Sequence, residues 1–154
     1  MIALRSMVPE DAPALAALFF ETVHNVCGKD YNPAQLDAWA PADRDLTAWA
    51  ASFQGRTALV ALWDGEIAGF GDLDRAAGYL DRLYVRWDLQ GRGIASALCD
   101  ALEAACPAER ITVHASLAAL PFFEGRGYRV VRQQQVVRRG VTLTNFLMER
   151  PTAL

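Results

Sequence analysis

In the stretch "VRWDLQGRGIASAL", Gly91 and Gly93 stand between an apolar, strand-like run and the start of a helical pattern, where propensity alone gives no reason for two glycines. At a helix N-terminus the first backbone N–H groups lack an intrahelical acceptor, and the helix dipole adds about half a positive charge at the same place. With no Cβ in the way, a phosphate can approach that backbone closely. The segment Gln90, Gly91, Arg92, Gly93, Ile94, Ala95 and Ser96 is therefore a candidate diphosphate cradle, with the charge of Arg92 beside it. The same glycines could also serve a tight turn and nothing more. Two better-known phosphate motifs fail. A dinucleotide fingerprint needs a third glycine where Ser96 stands, and a P-loop needs Ser or Thr after Gly-Lys, whereas Gly28-Lys29 precedes Asp30.

The elements that would position this cradle follow from periodicity. A short strand over Ile2 to Arg5 leads into a helix that repeats Leu15, Leu18, Phe19, Thr22, Val23 and Val26 at helical spacing. Asn32 followed by Pro33 predicts a capped second helix, stopped by Pro41, and a third is expected over roughly Asp43 to Gln54. The period then changes. "TALVALWDGEIAGFGDLD" predicts two strands joined at Asp64-Gly65, and "YLDRLYV" a third. A helix from about Arg92 to Cys106, the strand "RITVHA", a short helix over about Ala118 to Arg126 and a last hairpin turning near Arg139-Gly140 complete the order. This predicts an α/β (α+β) fold, a mixed and mostly antiparallel sheet flanked by helices, in a single domain over 1–154.

Composition narrows the function classes. The 154 residues carry a net charge of −3, which argues against a broad nucleic-acid surface and suits a cationic partner slightly better. Apolar runs are broken well before the ~18 residues of a membrane span, and the N-terminus lacks the pattern of a secretory signal, so a cytoplasmic location is expected. The three cysteines, Cys27, Cys99 and Cys106, have no metal-site spacing and are expected to be reduced and buried; no metal is expected.

"LYVRWDLQGRGIASAL" resembles motif A of the GNAT acetyltransferase superfamily, Q/R-x-x-G-x-G/A, with Gln90, Gly93 and Ala95 at the fixed places. "HASLAALPFFEGRGY" is similar to that superfamily's second cofactor motif. The resemblance implies acetyl-CoA as the bound diphosphate and an amine as acceptor. It also implies that the pantetheine arm lies along Leu83, Tyr84 and Val85, facing Thr112 to His114, with Ser116 and the Phe122–Phe123 helix flanking the thiol end. Many superfamily members carry a tyrosine at the second aromatic of that pair; Phe123 cannot donate a proton.

Acetyl transfer to an amine needs a neutral nucleophile, donors for the carbonyl oxygen and a proton for the leaving thiolate. Strict alternation along "YLDRLYV" places Tyr79, Asp81, Leu83 and Val85 on one face and Leu80, Arg82 and Tyr84 on the other. Asp81 is thus the candidate base or ammonium anchor. Tyr31, Ser116, Tyr84 or a water are the candidate acids, and His24, Tyr31 and Trp39 the candidate lining of the acceptor pocket. The alternative to an enzyme is an acyl-CoA-binding module without turnover. A monomer and a homodimer are both compatible with the sequence.

Overall fold

The computed structural model describes residues 1–152. Strands β1 (Ile2–Ser6), β2 (Thr57–Trp63), β3 (Glu66–Asp74), β4 (Tyr79–Val85), β5 (Arg110–Ala115), β6 (Arg129–Arg138) and β7 (Val141–Pro151) form one sheet in the order β1-β2-β3-β4-β5-β7-β6. Every neighbouring pair is antiparallel except β4 and β5. The hairpins turn where the dipeptides place them: Asp64 and Gly65, and Arg139 and Gly140, all have positive φ, the two-residue turn that matches strand twist.

Helices α1 (Ala12–Val26), α2 (Pro33–Trp39) and α3 (Leu46–Ala51) cover one face of the sheet; α4 (Ile94–Ala104) and α5 (Leu120–Gly125) belong to the other. The first face is sealed by Leu15, Phe19, Trp49 and Phe70, the second by Leu102, Ile111, Phe123 and Met148. Asn32 and Gln35 exchange the two bonds of a capping box at the start of α2. The third helix is shorter than the expected Asp43 to Gln54. Asp45 caps the N–H of Ala48, which fixes the start, while Asp43 pairs with Arg139. Helix α4 likewise begins two residues late, because Gly93 at φ +84° is its N-cap.

The pairing of β4 with β5 is brief. Tyr79 faces Thr112 and Leu80 faces Val113, and there the ladder ends. Leu83 to Val85 therefore lie beyond the divergence, in the split between the two strands, but Thr112 and Val113 stand opposite Tyr79 and Leu80, so the expected facing of Leu83 to Val85 with Thr112 to His114 is offset.

Alternation along β4 also breaks. Asp72 of β3 faces Arg82, but the next residue, Leu73, faces Leu80, so Asp81 is the extra residue of a β-bulge. The bulge turns Leu80 toward the second face, where it packs with Leu73, Cys99 and Leu102 rather than siding with Arg82 and Tyr84. A buried charge holds this irregularity. Asp72, 0% exposed, accepts the backbone N–H of Arg82 at 3.0 Å and two guanidinium N–H groups of the same residue at 3.0 and 2.6 Å. Arg82 also donates to Ser52 Oγ and lies 3.7 Å from the Phe53 ring centroid. Arg56 links Asp72, at 3.5 Å, to Asp81.

Removing one partner of a buried ion pair leaves the other charge uncompensated. Asp72→Ala is expected to lower the free energy of unfolding by about 3–5 kcal/mol in urea denaturation, whereas Asp100→Ala, on the exposed partner of Arg126, should change it little. A loss at Asp72 no greater than at Asp100 would show that the carboxylate does not hold the bulge.

Candidate active site

Where β4 and β5 part, a cleft of about 440 Å³ opens between them, running from Gln90 and Gly91 to Phe122 and Phe123. At one mouth lies the glycine segment. Gly91 has φ +74° and Gly93 φ +84°, and a Cβ on either would point into open space. Among the described residues no backbone N–H from Gln90 to Ser96 finds an intramolecular acceptor; the first that does is Ala97, bonded to the Gly93 carbonyl. These unpaired N–H groups lie at the N-terminus of an 11-residue helix, whose dipole adds to them, a setting that fits a diphosphate. The Gln90 side chain is occupied elsewhere. Its amide donates to the carbonyls of Val85 at 2.7 Å and Arg86 at 3.3 Å, so it braces the turn and offers a ligand only its backbone. Arg92 does not line the cleft; its guanidinium lies 5.4 Å from the Trp63 ring centroid.

Leu83, Tyr84, Val85, Ile94, Ala95, Ser96, Ser116 and Phe123 all line the cleft. Phe123 is also core: it is 4% exposed and stands edge-on to Phe122 and Tyr128. Cys27 reaches the wall, but burial, helped by Asp30, pushes its thiol up to about 11, leaving it a poor nucleophile.

A smaller cavity of about 150 Å³ lies between β4, β5 and the β6–β7 hairpin. The two spaces share Trp39, Asp81, Tyr84, His114 and Ser116. A thioester in the first and an amine in the second would meet among those five side chains. The Asp81 carboxylate there is held by Arg56 Nη1. The Ser116 hydroxyl accepts the Ala119 N–H at 3.1 Å, and its own proton has no acceptor among the described residues. Tyr84 resembles it: the phenol accepts the Trp39 indole N–H at 3.2 Å, and its proton is uncommitted. Burial pushes the Tyr84 phenol well above its ordinary value, so it stays protonated.

Two expected site residues are placed differently. Tyr31 lines the smaller cavity, yet its hydroxyl donates to the Thr144 carbonyl at 2.7 Å and accepts the Leu117 N–H at 3.0 Å. Its one proton is committed to backbone. His24 lines neither cavity; its Nε2 meets the Ala40 carbonyl at 2.9 Å and its ring packs on Phe20, tying α1 to the end of α2. Trp39 lines both spaces as expected of a pocket wall. The residues that sequence reasoning passed over are Arg56, Arg138, Thr144 and Asn145. Asn145 alternates with the apolar Phe146 and Arg138 ends the exposed strand β6, on a hairpin whose pattern shows only that it is a strand pair.

Among the described residues no cluster of three metal-ligating side chains occurs, and no helix is long and apolar enough to cross a membrane.

Comparison with known proteins agrees with this geometry. Residues 27–150 match the family model described as acetyltransferase (GNAT) domain. Over 147 residues the chain is 35% identical to the uncharacterized N-acetyltransferase YafP of Escherichia coli (strain K12), covering 96% of this chain and 94% of that one. The crystal structure of a GCN5-related N-acetyltransferase from Rhodopseudomonas palustris superposes with a TM-score of 0.93 at 36% identity, covering 97% of this chain and 94% of that one. The PaiA N-acetyltransferase of Thermoplasma acidophilum, crystallised with coenzyme A, shares the fold at a TM-score of 0.76 and 18% identity, over 98% and 99% of the two chains. By its matched domain and these relatives, the chain belongs to the GNAT family of acetyltransferases and is an acyltransferase.

Proposed function

We propose that the protein transfers an acetyl group from acetyl-CoA directly to a primary amine, with both substrates bound together. The observation that carries this is the run of unpaired N–H groups from Gln90 to Ser96, set at the mouth of a cleft bordered by the free edge of β4. The cradle fits the diphosphate. Beyond Leu80 the β4 backbone has lost its β5 partner, so an extended pantetheine amide chain can add to that edge as a strand would.

Acetyl-CoA supplies an activated acyl carbon. The amine nitrogen forms a bond to it, the C–S bond breaks, and its electron pair leaves on sulfur. The nitrogen loses a proton to Asp81, directly or through water; the Ser116 and Tyr84 hydroxyls donate hydrogen bonds to the sulfur as it gains charge, and the proton taken by Asp81 passes through water to the thiolate, which restores the carboxylate. The Arg56 contact fixes the position of the Asp81 carboxyl group at the junction of the two spaces. Positioning contributes most: holding two reactants in line is worth about 7–11 kcal/mol, against about 3–5 for one acid or base. Phe123 favours a second reading, an acyl-CoA-binding module without turnover, because the phenol common at that place in the family is missing.

Purified protein with acetyl-CoA and a broad panel of amines should release free thiol faster than hydrolysis alone. CoA binding by calorimetry without such release would favour the binding module. Replacing both Gly91 and Gly93 by valine should weaken CoA binding by at least tenfold, since side chains would then occupy the cradle; unchanged affinity would remove the basis of the proposal. Asp81→Asn and Ser116→Ala are each expected to lower kcat, the first by about 100-fold or more, the second by about tenfold. Tyr31→Phe should instead show its main effect as a lowered thermal midpoint, because the lost hydroxyl bonds two backbone groups.

A further inference from the structure

Resting on the transferase reading, the geometry points to an acceptor class: we propose that the amine is small and carries an anionic group, a carboxylate or phosphonate, bound in the smaller cavity by Arg138, Asn145 and His114. Three formal charges line that cavity besides His114. Two are already neutralised, Asp81 by Arg56 and Arg82 by Asp72. Arg138 has no carboxylate within ion-pair distance among the described residues; its Nη1 donates only to the adjacent Val137 carbonyl. The local balance is therefore positive, opposite in sign to that of the whole chain.

The neutral groups are biased the same way. The Gln134 amide nitrogen donates to Asn145 Oδ1 at 3.0 Å and lies 3.3 Å from His114 Nδ1. An amide N–H meeting Nδ1 makes that nitrogen the acceptor, so the neutral ring carries its hydrogen on Nε2. With Asn145 Oδ1 engaged, its Nδ2 remains as a donor without a partner among the described residues. The Thr144 hydroxyl directs its proton to Gln135 Oε1 and its carbonyl accepts the Tyr31 hydroxyl. Guanidinium, amide N–H and imidazole N–H are donors in search of acceptors, and anionic oxygens with several lone pairs satisfy them together. Asp81, at the junction with the cofactor cleft, would hold the amine end of the same molecule. A cavity near 150 Å³ takes a group about the size of benzene, which is the scale of an amino acid.

The test follows thiol release with acetyl-CoA and matched acceptors: the common amino acids, their carboxamides, the amines lacking the carboxylate, and aminoalkylphosphonates. The best acid or phosphonate should exceed its uncharged counterparts in kcat/KM by about 10- to 100-fold, the range for a hydrogen bond to a charged group. Over the carboxamide this preference cannot come from nucleophile supply, since the amide's amine is the less basic; over the plain amine, which is the more basic, kcat/KM is compared per unit of free base. Arg138→Ala should bring the ratio near one and Arg138→Glu should invert it, with the CoA dissociation constant and thermal midpoint confirming an intact fold. Whether carboxylate or phosphonate leads tells which oxyanion the cavity takes, and either supports the proposal. Thiol release as fast with amides or plain amines, or a ratio unmoved in Arg138→Glu, overturns the anionic acceptor while leaving the transferase standing. Tight CoA binding with no release from any acceptor overturns the transferase reading and this one with it.

Discussion

A parallel strand pair loses its ladder where its chains diverge, and every backbone N–H and C=O beyond that point needs another partner. In this protein the divergence comes after Leu80 and Val113, in the middle of the sheet rather than at its rim. An interior sheet edge of this kind would be costly if it stayed dry and unpaired. Here it opens into the cleft, and the two sides are held apart by different neighbours: β4 by β3 and the α1 face, β5 by β7 and α5. The cleft is thus a property of topology. The cradle at its mouth and the five side chains at its junction are positioned by strands that continue intact on either side.

The buried charges beneath the site follow from that arrangement. A bulge at Asp81 removes one backbone N–H from its strand partner, and Asp72 supplies the replacement acceptor. A carboxylate taken wholly out of water requires a cation, which Arg82 provides through paired N–H groups, while Phe53 stacks against the guanidinium. Arg56 then extends the network to Asp81 at the surface of the cavity. The orientation of one half-buried carboxylate is in this way fixed by a fully enclosed one.

Much of the fold was legible because its signals are local. Asp64-Gly65 and Arg139-Gly140 declare their turns by tolerance of positive φ, and Gly93 marks the start of α4 by the same property. Alternation failed at Leu80 because a bulge depends on a residue across the sheet, which spacing along one strand cannot reveal. His24 shares a helix with pocket-lining residues, but its direction is set by the Ala40 carbonyl, supplied by a later turn. Tyr31 was read by its chemistry, and its two backbone partners, at Leu117 and Thr144, lie 86 and 113 residues away. The glycine segment at the mouth of the larger cleft could be picked out from consecutive residues; the smaller cavity, assembled from five elements, could not.

The Tyr31 hydroxyl adds a side-chain cross-link between two segments that the β5–β7 ladder already joins at Ala115 and Phe146. One of its partners belongs to β7 at the wall of the smaller cavity; the other adjoins Ser116 at the end of the larger cleft. A single oxygen thus pins both walls to one reference point. Thermodynamic linkage makes any coupling carried through this pin reciprocal: by whatever factor filling one space changes affinity in the other, filling the other changes affinity in the first.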